Sequence, residues 1–472
     1  MPAIITNRFR VHNSEQFQEA FSESSGNVMY LGIGRPQAFA TSTRGDGRTN
    51  NEGTDTSPIT PADNRNAQSF PFDDLLAAKR ITSSDVSFAI PRRNWVTGTT
   101  YDIYRHDYGD RITGTSTALT ANSGATTLHD ATFYVLTTDR NVYKVLDNNS
   151  NAASTVEPTG TSTTVLSTAD GYKWKYMYTL SASQQSNFLS TDFMAVATNS
   201  TVSSAAVDGA IDVIKIKSAG TGGADGTHTN IDIRGDGSGG KVSVTVSSGA
   251  VTAVTVTTVG SGYTFASLLA SDIGGVSGAD IDFIISPIGG HANDCEKELG
   301  AFFVMINQDI VQNAGSGDFT VANDFRRIAL VKNPTSSSSL ATASTLDATK
   351  SITFSGSPGS FQADEKITQT TTGAVGFVVD FNSTTKVLRY IQPQFANQGI
   401  DSNQNLTAFS GTATVTGGTS GATGTPSSHD TTPELDAKTA SAASGDILYV
   451  ENRKPITRAS DQTENIKLIV EF

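Results

Sequence analysis

The sequence of 472 residues is long enough for two or three folding units, and its single cysteine, Cys295, excludes an intramolecular disulfide framework. A net charge of −13 without a cluster of lysines and arginines argues against a nucleic-acid-binding protein, because binding phosphates requires clustered basic side chains. Charged residues make up only 17% of the chain, and Ser, Thr, Gly and Asn take their place, which favours strands and turns over long helices.

Targeting and membrane signals are absent from the sequence. The first ten residues contain no apolar run of signal-peptide length, and no stretch of about 18 apolar residues occurs anywhere. We therefore expect a soluble protein without membrane insertion. One cysteine also suits synthesis in a reducing cytoplasm.

Alternating apolar residues in the first 210 positions predict mostly strands, with a few short helices between them. In chain order the predicted elements are a helix at 13–24, a strand at 27–34, a helix at 72–80, strands at 85–95 and 100–107, a hairpin at 132–148, a strand at 170–180 and a helix at 181–190. The helix at 72–80 is expected to open with Asp73 and Asp74, where the helix dipole favours negative charge. Residues 41–66 are polar and rich in turn residues, which predicts a long surface loop.

Two later segments, 211–282 and 341–429, are richer in Gly, Ser, Thr and Val and contain short alternating runs. In the first of them, KVSVTVSS and AVTAVTVTTV flank a Gly-Ala turn, which predicts a hairpin. We interpret both segments as small all-β modules inserted into a discontinuous core of residues 1–210, 283–340 and 430–472. The predicted fold class is therefore mainly β, with a few short helices in loops.

The last seven residues have the clearest strand pattern in the chain. Ile466, Leu468, Val470 and Phe472 alternate with more polar residues, so one face of this strand is expected to be buried. A strand at a chain end is held only when a sheet made by distant segments receives it. We expect residues 466–472 to close the discontinuous core.

Motifs for catalysis or metal binding are missing from the sequence. The six histidines form no HxH, HExxH or Cys–His spacing, and no serine stands at a strand–turn–helix elbow. Residues 235–243, GDGSGGKVS, share glycines and Lys241 with a P-loop, but Val242 occupies the position where Ser or Thr would bind magnesium. We interpret this stretch as a turn, and we predict no catalytic, cofactor-binding or metal-binding residues and no enzymatic activity.

Two weaker signals have simpler structural interpretations. Arg-Gly-Asp occurs at 44–46 and 234–236, in surroundings typical of turns rather than of an adhesion motif. Trp174, Tyr176 and Tyr178 share one face of a predicted strand, which favours a core or a subunit interface over a sugar-binding platform.

Six segments of the predicted core carry distinctive strings. They lie at 85–107, 132–149, 154–182, 289–307, 323–334 and 449–472, and include DVSFAIPRRNW, TFYVLTTDRNVYKVLDNN, GYKWKYMYTLSA, GGHANDCEKELGAFFVMIN, NDFRRIALVKNP and YVENRKPITRASDQTENIKLIVEF. The set resembles the baseplate wedge subunit of T4-like contractile-tailed bacteriophages, the gene-eight product family. The two Gly/Thr-rich modules resemble additions found in longer versions from phages of marine cyanobacteria.

This resemblance implies a β-sandwich core with short helices in its loops. It implies a homodimer that contacts the other wedge proteins around the tail hub, with no cofactor. The expected location is the tail baseplate of the virion, after assembly in the cytoplasm of the host bacterium. The expected role is structural: to link neighbouring wedge proteins and to take part in baseplate assembly and in the shape change that triggers tail contraction.

Basic and aromatic side chains within these strings are the candidate protein-interface residues, namely Arg92, Arg93, Trp95, Arg326, Arg327, Arg453, Lys454 and Arg458. For the first three, the alternative is a turn with the tryptophan in the core. The arginine pair that follows Asp324 has local charge pairing as its alternative. The last three are predicted to form a basic loop that makes an ionic contact between subunits.

Two other functions remain open at the level of the sequence. A host-surface glycan-binding tail protein would expose aromatic residues on an inserted module, but both tryptophans, Trp95 and Trp174, lie in core segments. A tail-associated glycan hydrolase would need two carboxylates roughly 5–10 Å apart across a groove. No such carboxylate pair is evident from the sequence.

Overall fold

A computed structural model describes residues 4–23, 26–39, 41, 51–111, 115–311, 324–392, 399, 401–403, 405–429, 438–441, 444–457 and 463–472. The chain forms two compact units. Unit 1 consists of Met1–Phe17, Ser87–Met305 and Ile469–Phe472, and unit 2 consists of Gln18–Val86 and Ile306–Leu468. The predicted mainly-β fold with a few short helices is confirmed. Within the described ranges, no helix is long and apolar enough to cross a membrane.

The first seventeen strands extend to residue 285 and are β1 (Met29–Gly34), β2 (Gly53–Thr54), β3 (Ser57–Pro58), β4 (Leu75–Ile81), β5 (Val86–Pro91), β6 (Tyr134–Leu136), β7 (Asn141–Asn148), β8 (Leu166–Ser167), β9 (Tyr172–Thr179), β10 (Phe193–Ala195), β11 (Ile211–Thr221), β12 (Gly226–Asp232), β13 (Arg234–Gly235), β14 (Lys241–Ser247), β15 (Ala250–Thr258), β16 (Ala266–Ser267) and β17 (Ser277–Ile285).

The remaining strands are β18 (Phe303–Val311), β19 (Phe325–Lys332), β20 (Thr335–Ser336), β21 (Ser339–Leu340), β22 (Thr345–Asp347), β23 (Lys350–Ser355), β24 (Lys366–Gln369), β25 (Ala374–Asn382), β26 (Val387–Ile391), β27 (Val415–Gly417), β28 (Thr423–His429), β29 (Lys438–Thr439), β30 (Asp446–Ile456) and β31 (Thr463–Glu471). The α-helices are α1 (Asn7–Glu19), α2 (Arg65–Asp73), α3 (Ala182–Phe188), α4 (Ser200–Ser204) and α5 (Cys295–Leu299), and short 3₁₀ turns lie at Ser83–Asp85 and Ala270–Ile273.

The largest sheet of unit 2 has six strands in the order β29-β22-β4-β1-β19-β30. Its central strand β1 is buried along its whole length and pairs antiparallel with β4 and β19. The strand predicted at 27–34 is thereby confirmed. Because β1 is flanked by a strand on each side, all its backbone donors and acceptors can be paired inside the sheet.

The predicted helix at 72–80 is wrong. Helix α2 ends at Asp73, and Leu75–Ile81 form the strand β4 beside β1. Gly34 permits this pairing, because a Cβ atom at that position would lie 2.4 Å from the carbonyl oxygen of Asp74. Long-range pairing overrides the local preference of Leu and Ala for a helix.

Three other expectations need correction. Helix α1 begins at Asn7 rather than near residue 13, so Ser14 is a buried mid-helix residue whose hydroxyl lies 2.8 Å from the carbonyl oxygen of Ala301. Residues 101–105 are buried but form no strand. The predicted surface loop at 41–66 contains the hairpin of β2 and β3 and the buried Glu52, while residues 42–50, with the first Arg-Gly-Asp triplet, lie outside the described part of the chain.

Two sheets of four strands have the orders β10-β5-β18-β31 and β6-β7-β9-β8. The hairpin of β6 and β7 confirms the one predicted at 132–148, and β9 and α3 confirm the predicted strand and helix that follow. Trp174, Tyr176 and Tyr178 are all buried inside unit 1. The boundaries of the two units fall within α1, β5, β18 and β31.

The predicted terminal strand is confirmed as β31. Ile466 and Leu468 are each 6% exposed, as the alternation requires. Beyond β31, the Phe472 N–H donates to the carbonyl oxygen of Phe302 at 3.0 Å, and the Phe472 ring lies 5.2 Å from that of Phe17. The last residues are therefore held by segments that are distant in the chain.

The segment predicted as the first module contains the three-stranded sheet β12-β14-β15 and the pairs β11–β17 and β13–β16. Its apolar side chains share one cluster that includes Val242, Val244 and Tyr263. The predicted hairpin is confirmed, but its turn is formed by Ser248 and Gly249, and Ala250 already belongs to β15. The φ angles of the two turn residues are 54° and 77°, as expected for a two-residue turn that matches the twist of the strands. The predicted module boundaries themselves stay a prediction.

The segment predicted as the second module contains a closed barrel of strand order β23-β26-β25-β24-β27-β28. Ile352, Phe354, Ile367 and Leu388 fill its interior with other apolar side chains. A closed barrel leaves no strand edge open to pairing with another chain.

Glu365 holds one end of this barrel together. It is 4% exposed and accepts hydrogen bonds from the Thr419 N–H at 3.0 Å, from the Ser420 N–H at 2.9 Å and from the Gln362 N–H at 2.8 Å. Although burial alone would raise the pKa of Glu365, the hydrogen bonds that it accepts lower the pKa below its usual value. The ionised carboxylate therefore stabilises the barrel.

We expect Glu365→Gln to lower the free energy of unfolding by about 1.5–3 kcal/mol at pH 7, the range for hydrogen bonds to charged groups. Because the folded-state pKa is lowered, this contribution is complete above the unfolded pKa of about 4.3 and is lost as the pH falls through the folded pKa. Urea denaturation of the wild-type protein and of Glu365→Gln, at pH 7 and below pH 4, measures this contribution to the free energy of unfolding. The exposed Asp446→Asn is the control, and a cost for Glu365→Gln that does not diminish in acid would contradict the assignment.

Candidate functional site

The arginines that follow β5 are engaged within unit 1. Arg92 donates from Nη1 to the carbonyl oxygen of Ser190 at 2.7 Å and from Nε to Asn94 at 2.9 Å. The Arg93 guanidinium donates to the carbonyl oxygens of residues 129 and 131 and lies 4.6 Å from the centre of the Tyr134 ring. These contacts hold the turn after β5 against the neighbouring sheet.

Trp95 also has an internal partner. Its indole N–H donates to the Ser154 hydroxyl at 3.1 Å, and its backbone N–H donates to the carbonyl oxygen of Leu136 at 2.8 Å. The side chain is half-buried. The turn-and-core alternative accounts for these contacts, and the interface role of the first three candidates stays a prediction.

Arg327 is the centre of a buried ionic cluster in unit 2, here called the Arg327 cluster and made of Arg35, Glu52, Asp74 and Arg327. Nη1 of Arg327 donates to both carboxylate oxygens of Asp74, at 3.0 and 2.8 Å, and Nη2 donates to Glu52 at 2.6 Å. Nε donates to Asn452 on β30 at 3.0 Å. Nη2 of Arg35 lies 3.3 Å from Oε2 of Glu52, the oxygen that Arg327 does not bind.

The four side chains of the Arg327 cluster are at most 5% exposed, and they carry two positive and two negative charges. Removing such charges from water is costly, and close pairing offsets the cost only when the geometry is good. The planar fork of arginine meets that requirement by binding two carboxylates at once. The cluster borders a cavity of about 250 Å³ that Phe70 and Asn452 also line.

Arg326 also has acidic partners in its own chain. It is 6% exposed, and its guanidinium lies 2.9 Å from Asp55 and 3.3 Å from Asp324. Burial alone would raise the pKa of Asp55, but hydrogen bonds from Arg326 and from the Phe39 N–H lower the pKa below its usual value. Arg326 thus has the local pairing with Asp324 that was stated as the alternative. Arg327 is also paired, but its acidic partners Glu52 and Asp74 are distant in the chain.

Arg453 and Lys454 lie within β30 rather than in the predicted loop. Arg453 is half-buried and Lys454 is exposed. Asn452, their neighbour, is paired in register with Arg327, so β30 connects the Arg327 cluster to the surface. Arg458 lies outside the described residues.

A second buried polar cluster lies in unit 1, here called the Lys144 cluster and made of Lys144, Asp212, His291 and Glu298. Lys144 on β7 contacts Oε1 of Glu298 on α5, and its Nζ lies 2.5 Å from Nδ1 of His291. Nδ1 of His291 is 3.6 Å from the same Glu298 oxygen, and Nε2 is 4.0 Å from Asp212. Nζ of Lys144 lies over the ring of Tyr104, 4.2 Å from its centre.

Burial is the main cause of the pKa shifts in the Lys144 cluster. Lys144 is fully buried, and burial, together with the nearby Lys175, lowers its pKa well below the usual value for lysine. Burial, followed by the charges of Lys144 and Lys175, lowers the pKa of His291 well below its usual value, so the imidazole is neutral at pH 7. Burial raises the pKa of the Asp212 carboxyl, and it raises that of the Cys295 thiol to about 12.

A cavity of about 630 Å³ in unit 1 reaches the Lys144 cluster through Glu298. Tyr104, Tyr263, Asp208 and Lys297 are among the other residues that line it. Its wall combines aromatic, acidic and basic groups. In the part of the chain that is described, no group of three or more His, Cys, Asp or Glu side chains is arranged to hold a metal ion.

No family model matches this sequence, and no curated protein matches it.

The sequence did not identify the Lys144 cluster or the acidic partners of Arg327. One signal was available: NVYKVLDN places a lysine within a strand whose other side chains are mostly apolar. A lysine there is either exposed or supplied with a buried partner. The sequence contains no indication that the partner would be Glu298, because that contact depends on how the chain folds.

Proposed function

We propose that this protein is a structural subunit of the baseplate wedge in a contractile phage tail. The observation that carries the proposal is where the resembling strings lie. They form the buried strands β5, β6, β7, β9 and β19 and the strands β30 and β31, whereas the Gly/Thr-rich segments form the barrel and the sheet of β12, β14 and β15. The resemblance thus lies in the residues that determine the core.

The internal contacts suit a protein that transmits force. The Arg327 cluster joins segments around residues 35, 52, 74, 327 and 452, so separating any of them exposes buried charge. A network of this kind opposes local opening of the sheet. We propose a structural role rather than an enzymatic one.

The edge strand β30 is the proposed contact region for a neighbouring wedge protein. Within the described sheet, β30 has a strand partner on one side only, β19. Leu448 on this strand is 49% exposed, and Arg453 and Lys454 add positive charge to an otherwise acidic protein. An acidic partner surface would be attracted to this edge.

The proposal is tested by the mass of the purified protein in solution, alone and mixed with the neighbouring tail proteins, measured by light scattering. A dimer that builds into a larger complex of fixed stoichiometry supports the wedge role. A stable monomer that does not bind those proteins but is retained on glycans of the host envelope would contradict the wedge role. It would favour a glycan-binding tail protein.

The double variant Arg453→Glu, Lys454→Glu tests the proposed contact region. We expect it to slow association with the neighbouring wedge protein about tenfold or more at low salt, because charges at an interface mainly affect the association rate. Stopped-flow mixing at two salt concentrations measures the change. Lys366→Glu on the barrel is the matched control, and an equal loss of rate in the control would contradict a specific role for β30.

A further inference from the structure

The side chains of Lys144 and Glu298 are arranged for a covalent reaction with each other. Both lie in unit 1, on β7 and α5, and the Lys144 Nζ atom contacts Oε1 of Glu298 directly. Lys144 is 0% exposed and Glu298 is 7% exposed. We propose that these two side chains form an intramolecular amide bond, an isopeptide cross-link.

Burial and a neighbouring lysine favour the uncharged amine that this reaction needs. Lys144 lies opposite a second buried lysine, Lys175, in the ladder of β7 and β9, and like charges in that position repel. A buried ion pair is costly, and transfer of the proton from the ammonium to the carboxylate removes both charges. Burial also lowers the pKa of Lys144, which favours its uncharged amine.

His291 and the backbone of Ala292 supply the remaining catalytic groups. Nδ1 of the neutral His291 is 2.5 Å from Nζ and 3.6 Å from Oε1, so one atom can accept a proton from the amine and return it to the leaving oxygen. The Ala292 N–H donates to Oε2 of Glu298 at 2.6 Å, where negative charge develops. Ala292 holds this amide in place with a left-handed backbone, at φ 65°.

The reaction balances without an additional reactant. The neutral Nζ of Lys144 attacks Cδ of the protonated Glu298, and a C–N bond forms. His291 takes a proton from the nitrogen and passes it to Oε1, the C–Oε1 bond breaks, and one water leaves. The product is an amide whose carbonyl oxygen is Oε2, still bound by Ala292, and the cavity of about 630 Å³ gives the water a route out.

The mass of the intact protein tests this directly. Full-length purified protein, denatured and measured by electrospray mass spectrometry, is expected to be about 18 Da lighter than its sequence requires, the mass of one water. After trypsin digestion, cleavage at Lys144 is expected to fail. Residues 141–173 and 298–326 should then be recovered as one branched peptide.

Variants make the assignment specific. Lys144→Met and Glu298→Ala are each expected to restore the full mass, and Lys297→Met, which removes the exposed lysine next to Glu298, is expected to keep the loss of about 18 Da. His291→Asn is expected to slow the cross-linking reaction. When the two proteins are purified in parallel, a larger share of this variant than of the wild-type protein should still be uncross-linked.

Two results would overturn the proposal. One is a wild-type protein of full mass that releases residues 141–144 as a separate tryptic peptide. The other is a loss of water that fragment spectra assign to residues other than Lys144 and Glu298. Both measurements are made on denatured wild-type protein, so they do not depend on the stability of any variant.

Discussion

Replacing Arg327 with methionine is expected to lower the free energy of unfolding by about 3–5 kcal/mol, the usual cost of removing one partner from a buried ionic contact. Methionine fills part of the same volume, but the carboxylates of Asp74 and Glu52 lose the guanidinium that binds both of them. Urea denaturation followed by far-UV circular dichroism measures the change.

Two further variants separate charge from geometry. Lys454→Met removes an exposed cation from the adjacent strand β30 and is expected to change stability by less than about 0.5 kcal/mol. Arg327→Lys keeps the positive charge but lacks the planar fork that reaches two carboxylates, so its effect should fall between the other two. A loss below about 1 kcal/mol for Arg327→Met would mean that the Arg327 cluster contributes no more than a surface ion pair.

Deletion of residues 466–472 is expected to abolish folding to the native state. The deletion removes the buried Ile466 and Leu468 from β31 and also removes Phe472, which bonds to Phe302 and packs on Phe17. Arg10, whose guanidinium donates to the carbonyl oxygen of Phe472, loses that partner as well. We expect the truncated protein in the insoluble fraction, or in solution without the ability to make the proposed association with wedge proteins.

The full-length double variant Lys467→Gln, Glu471→Gln is the control for this deletion. It changes polar side chains of the same strand but keeps the backbone and the apolar face. Yield in the soluble fraction, light scattering and near-UV circular dichroism compare the three proteins. A truncated protein that stays folded and assembles normally would show that β31 does not close the core.

Local patterns in the sequence were sufficient for elements that depend on neighbouring residues. The hairpins at β6–β7 and β14–β15 combine alternating side chains with short turns, and both were predicted. The strand β31 was predicted from alternation alone. These elements need little information from the rest of the chain.

Elements that depend on distant contacts were predicted less well. Residues 75–81 have the composition of a helix but form β4, because the edge of β1 is available for pairing. Arg327 was identified as a notable residue, but its partners Glu52 and Asp74 are more than 250 positions away in the chain. Sequence spacing carries no information about such pairs.

The barrel has a further consequence for how this chain can change in evolution. Its first strand, β23, and its last, β28, lie side by side, with Ile352 paired to His429, so the chain enters and leaves the barrel at nearly the same place. Opposite residues in such a pair are only about 5 Å apart. A whole barrel can therefore be gained, lost or exchanged in a single recombination event while the path of the remaining chain is kept, and relatives of different length can share one framework.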